Sequence, residues 1–247
     1  MARQKLGQHF LIKGAILERI AAAACPEPGS VVIEIGPGRG ALTARLLPRA
    51  SRVIAVEIDP FLANHVRTKY ADAGLEVVEA DVLDTDLAQW GPAAVCGNLP
   101  YYITSPILAK LAGVPFTRAV FLIQKEVAAR LTASPGSRDY GYLTVQTALF
   151  ATARRLFDVK PGAFHPPPKV DSTVVLLEPR ARLVENAAAF LEFAGRAFHQ
   201  KRKTIRNNLG PAYGREIVDS WPEASLRAEQ IPLEQFVEMF RRTTEPS

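Results

Sequence analysis

Val31-Val32-Ile33-Glu34-Ile35-Gly36-Pro37-Gly38-Arg39-Gly40-Ala41-Leu42-Thr43 reads as a buried strand that runs straight into a glycine-rich turn and the opening of a helix. Glycines in such a turn let the chain reverse tightly and bring its backbone close to a ligand. A dinucleotide site has its third glycine one position later, as G-x-G-x-x-G, and rests a pyrophosphate on the helix N-terminus. Here the spacing is G-x-G-x-G after an acid, Glu34, which would sit badly against a pyrophosphate. A methionine-type ligand fits better, because the carbonyls and amides of the turn can meet its ammonium and carboxylate.

Apolar β-branched runs recur on both sides of this stretch, at residues 53–56, 76–79, 93–96 and 119–123, separated by helical patterns. That alternation predicts an α/β fold, a mostly parallel sheet with helices on both faces. Residues 154–159 and 172–177 are strand-like but joined by the turn His165-Pro166-Pro167-Pro168 without a helix, so the later strand is expected to lie antiparallel in the sheet. From Pro179 the periodicity is helical, which places a boundary within residues 178–185. The expected division is a catalytic domain over 1–180 and a small all-helical domain over 181–247.

Successive strands end in acids. Glu57 closes Val56-Glu57-Ile58-Asp59 about 20 residues past the glycine turn, where a carboxylate can accept from both hydroxyls of a ribose. Asp81, in Glu79-Ala80-Asp81-Val82, falls at the same sheet edge and can accept from an adenine amine. Taken singly, each acid is equally well a helix N-cap or a loop residue; taken in order, they line one crevice.

The next strand delivers Gly97-Asn98-Leu99-Pro100-Tyr101-Tyr102. Adenine N6 is a poor nucleophile because its lone pair is delocalised into the ring. The Asn98 oxygen and the Leu99 carbonyl, both accepting from that amine, draw it toward a tetrahedral geometry. The aromatic after Pro100 can stack on an extruded base, worth about 1–3 kcal/mol in comparable stacks. No general base is required, since the proton becomes acidic once the methyl has transferred. Phe164, in a loop stiffened by prolines, either presents its ring to the base's other face or packs in the core.

The 247 residues carry 30 Lys+Arg against 25 Asp+Glu, a net charge of +5 that suits a polyanionic partner. Cys25 and Cys96 stand apart and only four histidines are present, so reduced thiols and no metal site are expected. The apolar stretch at residues 15–25 is interrupted by Glu18 and Arg19, which predicts an amphipathic helix rather than a signal or membrane span. A cytoplasmic monomer is the expectation.

Nearly the whole chain resembles the ribosomal RNA adenine N6,N6-dimethyltransferase family, in its bacterial small-subunit branch. The resemblance runs through Leu6-Gly7-Gln8-His9-Phe10-Leu11, the glycine turn, Asn98 to Tyr101, Leu122-Ile123-Gln124-Lys125-Glu126-Val127, residues 164–175 and residues 198–209. It implies a Rossmann-like S-adenosylmethionine-dependent fold and dimethylation of two adjacent adenosines near the 3′ end of 16S ribosomal RNA. By motif position it implies cofactor contacts at His9, Leu11, Gly36, Gly38, Glu57, Ile58, Asp81, Val82 and Asn98. Around the target amine it places Asn98, Leu99, Pro100, Tyr101 and Phe164. The family often carries Asn where His9 and Tyr102 stand here, and its C-terminal segment is usually longer.

Residues 198–209 put Lys201, Arg202, Lys203 and Arg206 within three helical turns, with Phe198, Ile205 and Leu209 marking one apolar face. Such a run is ordinarily a solvated face; beside an adenine-amine site it predicts a phosphate track, extended by Arg3, Lys5, Lys125 and Lys169. Competing readings are a large-subunit adenine methyltransferase of the antibiotic-resistance type, an assembly factor for which methylation is secondary, and an oxidoreductase resting on the glycine turn alone.

Overall fold

Val31–Ile35 forms β2 in the interior of a seven-stranded sheet, and its apolar character, broken only by the buried Glu34, follows from burial on both faces. The structure is a computed structural model and describes residues 9–244. Its strands in chain order are β1 (Phe10–Leu11), β2, β3 (Arg52–Glu57), β4 (Leu75–Glu79), β5 (Ala93–Asn98), β6 (Phe116–Gln124), β7 (Ala151–Val159), β8 (Phe164–His165) and β9 (Ser172–Pro179). Helices α1 (Gly14–Ala24), α2 (Thr43–Leu46), α3 (Pro60–Lys69), α4 (Thr104–Leu111) and α5 (Lys125–Leu131) follow the early strands. Later come α6 (Tyr142–Ala148), α7 (Ala187–Ala197), α8 (Ile205–Tyr213), α9 (Arg215–Asp219) and α10 (Leu233–Thr244).

The sheet order is β4-β3-β2-β5-β6-β9-β7. Strands β4, β3, β2, β5 and β6 pair in parallel, and β9 runs antiparallel to β6 with Ser172 opposite Gln124. The chain winds outward from β2 through β3 to β4, then returns to place β5 on the other side of β2. That reversal opens a crevice at the carboxyl ends of β2 and β5. Strands β1 and β8 form a separate antiparallel pair, Phe10 opposite His165 and Leu11 opposite Phe164.

Two compact units result. One comprises residues up to Ala128 together with Ala153–Pro179; the other comprises Ala129–Thr152 with the chain from Arg180 onward. The division at residue 180 coincides with the change of character in the sequence, but Ala129–Thr152 departs from the two-segment expectation. Val145 of its α6, with Tyr140 before the helix and Leu149 just after it, joins the same core as Phe190, Phe193, Trp221 and Phe236, so burial assigns the segment to the helical unit. The first unit has its own core, in which α1 packs Leu17, Ile20 and Ala21 with the sheet residues Val32, Val120 and Leu122.

The helix expected over residues 198–209 is instead a turn followed by the first residues of a helix. α7 ends at Ala197, α8 starts at Ile205, and Lys201, Arg202 and Lys203 lie in the turn between them. Asn208 holds that turn by donating its side-chain amide to the carbonyls of Ala197 and Gln200, at 2.7 and 3.2 Å. Phe198, Ile205 and Leu209 still face the core of this unit, so the apolar pattern was correctly spaced while the backbone between was not helical.

Candidate active site

Four strand ends, the segment around β1 and His165 enclose a cavity of about 720 Å³ at the crevice. On the β2 side, Gly36 (φ +67°) and Gly38 (φ +57°) turn the backbone along the cavity wall. A Cβ on Gly36 would meet no protein atom within 4 Å, so the main chain itself is the surface there. Gly38 is further constrained, since a Cβ would come within 3.0 Å of the Phe10 ring.

Glu57 is buried at the end of β3 and reaches the cavity wall. Its Oε2 accepts from the Gly38 amide and its Oε1 from the Asp59 amide, both at 3.0 Å. These bonds aim the carboxylate and leave each oxygen a further acceptor site. The N-cap of α3 is a different acid: Asp59 accepts from Phe61 and Leu62, with Pro60 at the first helical position. Burial nonetheless raises the Glu57 carboxyl above its ordinary value. Asp81 also lines the cavity, and its Oδ1 closes a local turn by accepting from Leu83 at 2.8 Å. Ile58 is half exposed at the rim and Val82 is buried; both line the wall.

Glu34 is 1% exposed and bonded at 2.6 Å by the Thr43 hydroxyl, which ties the end of β2 to α2 across the glycine turn. Burial pushes its carboxyl up to about 7, opposed by the Thr43 bond and reinforced by the nearby Glu57.

On the β5 side, Asn98 Nδ2 donates to the His9 carbonyl at 2.8 Å. A carbonyl can only accept, so this bond fixes which end of the amide is which and leaves Oδ1 to accept from a ligand. Tyr101 shares a 2.8 Å hydrogen bond with Ser172 at the start of β9, and burial raises its phenol. Leu99 is buried and its amide donates to Leu122, which locks the turn before Pro100. Tyr102 projects outward and also lines the cavity.

Phe164, expected beside the base, is instead 3% exposed in the core of the first unit, opposite Leu11. Side chains alternate along an extended segment, so with Phe164 inside it is His165 that lines the cavity. Leu11 is buried in that core as well as lining the wall. His165, Gly97, Glu34 and Ser172 belong to the site or its support, and of these only Glu34 carried a signal in the sequence.

The basic residues divide by partner. Lys125 pairs with Asp158 at 2.6 Å; that contact, with Thr173 and Arg155, holds the Asp158 carboxyl well below the usual carboxylate range. In the helical unit Arg206 pairs with Asp219 at 2.6 Å, and Lys201 donates to the Arg138 carbonyl at 2.9 Å. Lys169, Arg202 and Lys203 are exposed and form no ion pair among the described residues. Arg3, Lys5 and residues 6–8 lie outside the described residues. Among the described residues no group of acids, cysteines and histidines is arranged to hold a metal, and no helix is long and apolar enough to cross a membrane.

A model of the ribosomal RNA adenine dimethylase family matches residues 1–245. Ribosomal RNA small subunit methyltransferase A of Chlorobium luteolum is 43% identical over 245 residues, 97% of this chain and 89% of its own. A dimethyladenosine transferase from Plasmodium falciparum superposes with a TM-score of 0.82 at 28% identity, covering 96% of this chain and 98% of that one. The 23S rRNA methyltransferase ErmE gives 0.75 at 31% identity, over 96% and 100% of the two chains. Sheet order, glycine turn and strand-end acids therefore define an S-adenosylmethionine-dependent methyltransferase of Rossmann-like fold. Within that class, the chain belongs to the ribosomal RNA adenine dimethylase family.

Proposed function

We propose that this protein dimethylates the N6 amines of two adjacent adenosines near the 3′ end of 16S ribosomal RNA, during assembly of the small subunit, as a cytoplasmic monomer. The observation that carries the reading is the Asn98 amide, anchored through Nδ2 so that Oδ1 remains as an acceptor at the cavity wall. The 43% identity to a small-subunit methyltransferase supports the choice of ribosomal RNA and subunit.

Glu57 is assigned to the ribose hydroxyls of S-adenosylmethionine, Asp81 to the adenine amine, Ile58 and Val82 to the adenine faces, and Gly36, Gly38 and Leu11 to the methionine end. The open wall at Gly36 and the paired backbone bonds that aim Glu57 fit such a ligand. When bound, the cofactor supplies a methyl on a positively charged sulfur, an electrophile that needs no metal to activate it.

The chain's own contribution is orientation. Asn98 Oδ1 and the Leu99 carbonyl accept the two N–H bonds of the target amine, which localises its lone pair. Tyr101, held by Pro100 and by Ser172, offers its ring to the base. The amine's proton leaves to solvent after transfer, on the side of the cavity where Tyr102 is exposed. Lys169, Arg202 and Lys203 are assigned to RNA phosphates, with Lys125, Lys201 and Arg206 contributing less because their charges are already engaged. Phe164 receives no contact with the base in this arrangement.

The test is incubation with labelled S-adenosylmethionine and unmethylated small subunits, large subunits or free RNA, followed by nucleoside analysis. Dimethyladenosine in small-subunit RNA alone is expected; label confined to large subunits would overturn the substrate assignment.

A further inference from the structure

We propose that Tyr102 stacks on the nucleotide beside the target adenosine, taking the place of the neighbour which that nucleotide loses when the target leaves the strand; this deepens the function proposed above and rests on it. Pro100 is followed by a single 3₁₀ turn, Tyr101–Ile103. The turn is held at both ends. The Ile103 amide donates to the Pro100 carbonyl at 3.1 Å and the Thr104 hydroxyl donates to the same oxygen at 3.4 Å. Beyond it, α4 buries Ile107, Leu108 and Leu111.

With three residues per turn, consecutive side chains of a 3₁₀ segment point about 120° apart. Tyr101 and Tyr102 therefore cannot close on the two faces of one base. Tyr101 is turned toward β9 by its bond to Ser172 and Ile103 is half-buried, which leaves Tyr102 as the outward member of the three. It is 61% exposed and yet borders the same cavity as Asn98 and Tyr101. Among the described residues it has neither a hydrogen-bond partner nor a ring partner, whereas Tyr101 has both. A tyrosine on the protein surface usually sets its ring against apolar neighbours or its hydroxyl on a partner. Here a fixed backbone presents an unengaged aromatic face at the mouth of a base-binding cavity.

An adenosine that leaves its stack uncovers one face of the nucleotide next to it. The shared phosphate keeps that nucleotide at the cavity mouth, where the Tyr102 ring can cover the face again. Ile12 and Ile58 are exposed at the same cavity, but an aliphatic side chain has no π face to offer. Stacking reads no base edge, so the ring accepts an adenosine and its dimethylated product alike. A bound strand runs in one direction. The ring therefore meets a single flank of the target, either the nucleotide before it or the one after it.

The experiment measures kcat/KM on small subunits reconstituted with 16S RNA, for wild type, Tyr102→Ala, Tyr102→Phe and Tyr102→Leu. One RNA is intact; in the other two, one of the adjacent adenosines is replaced by an abasic ribose and methylation of the remaining one is scored. On intact RNA, Tyr102→Ala is expected to be slower by roughly five- to hundredfold, the worth of one base–aromatic stack. Tyr102→Phe should stay within about threefold of wild type, and Tyr102→Leu, which keeps the bulk without the ring, should be nearly as slow as alanine. The alanine penalty should shrink below about twofold in one abasic placement, where the ring has nothing to cover, and persist in the other. An alanine variant at the wild-type rate, a leucine variant that matches tyrosine, or a penalty that persists in both placements or vanishes from both would each overturn the proposal. If wild type methylates no adenosine of the intact subunits, the proposed function fails and this inference with it. A methylated wild-type control beside any of the overturning results sinks the stack alone. Should Tyr102→Ala not fold, Tyr102→Leu replaces it in both placements and the same outcomes decide.

Discussion

Gly97 lies against Ile35 so closely that a Cβ on it would fall 2.5 Å from the Ile35 carbonyl oxygen. Strands β2 and β5 are parallel neighbours at the point where the crevice opens, and the residue that follows Gly97 is Asn98. Gly97→Ala must push the two strand ends apart. A loss of about 1–3 kcal/mol in stability is expected, typical of overpacking, together with a fall in transfer rate larger than any fall in cofactor affinity. Urea unfolding and single-turnover kinetics check both parts; an alanine variant with wild-type stability contradicts the contact.

Glu57 accepts two backbone amides and is assigned two ribose hydroxyls. Glu57→Ala should weaken S-adenosylmethionine binding by about 1.5–3 kcal/mol, the range for hydrogen bonds to a charged group. Calorimetry on the folded variant measures it directly. Unchanged affinity would remove Glu57 from the cofactor site.

Glu34 gives a pH signature. Its carboxyl titrates near 4.5 when unfolded and at about 7 when folded, so the native state holds the proton more tightly. The contribution of Glu34 to stability is therefore greatest below about pH 4.5, falls as pH rises toward 7, and levels off beyond. Glu34→Gln removes this dependence and keeps an acceptor for Thr43. Relative to wild type, the variant should gain up to about 3 kcal/mol between pH 5 and pH 8. Unfolding curves at those two values decide the matter, and a constant difference would show that Glu34 does not titrate there.

Arg202 and Lys203 occupy the turn between α7 and α8 without engaged carboxylates among the described residues. Reversing both charges should weaken binding to small subunits and flatten its salt dependence by about two counterions, while S-adenosylmethionine affinity stays at the wild-type value. Filter binding at several salt concentrations reads both quantities. A wild-type slope would make this turn an ordinary solvated surface.

The strands of the seven-stranded sheet were legible because they are short apolar runs closed by a turn or an acid, and β9 because a proline turn replaced the helix a parallel connection needs. The glycine turn, Glu57, Asp81 and Asn98 were legible for a related reason: strand ends put consecutive motifs on one edge. The break between α7 and α8 was not, since no glycine or proline marks it and the apolar spacing survives it. Phe164 was ambiguous until pairing with Leu11 decided which side of its strand faced inward. The His9 contacts were out of reach, because they depend on β1 and β8, two residues each, meeting across more than 150 positions. Local pattern carries no record of such an encounter.

Tyr101 is referenced to the sheet at both ends, through the backbone leaving β5 and through the hydroxyl bonded to Ser172 on β9. A ring fixed in this way cannot travel toward an incoming base. The adenosine has to make the whole journey, leaving its neighbours before it meets the aromatic face. Substrate choice then becomes a matter of RNA mechanics: loops that release an adenosine at little cost are modified, and the same bases held in a stacked helix are passed over.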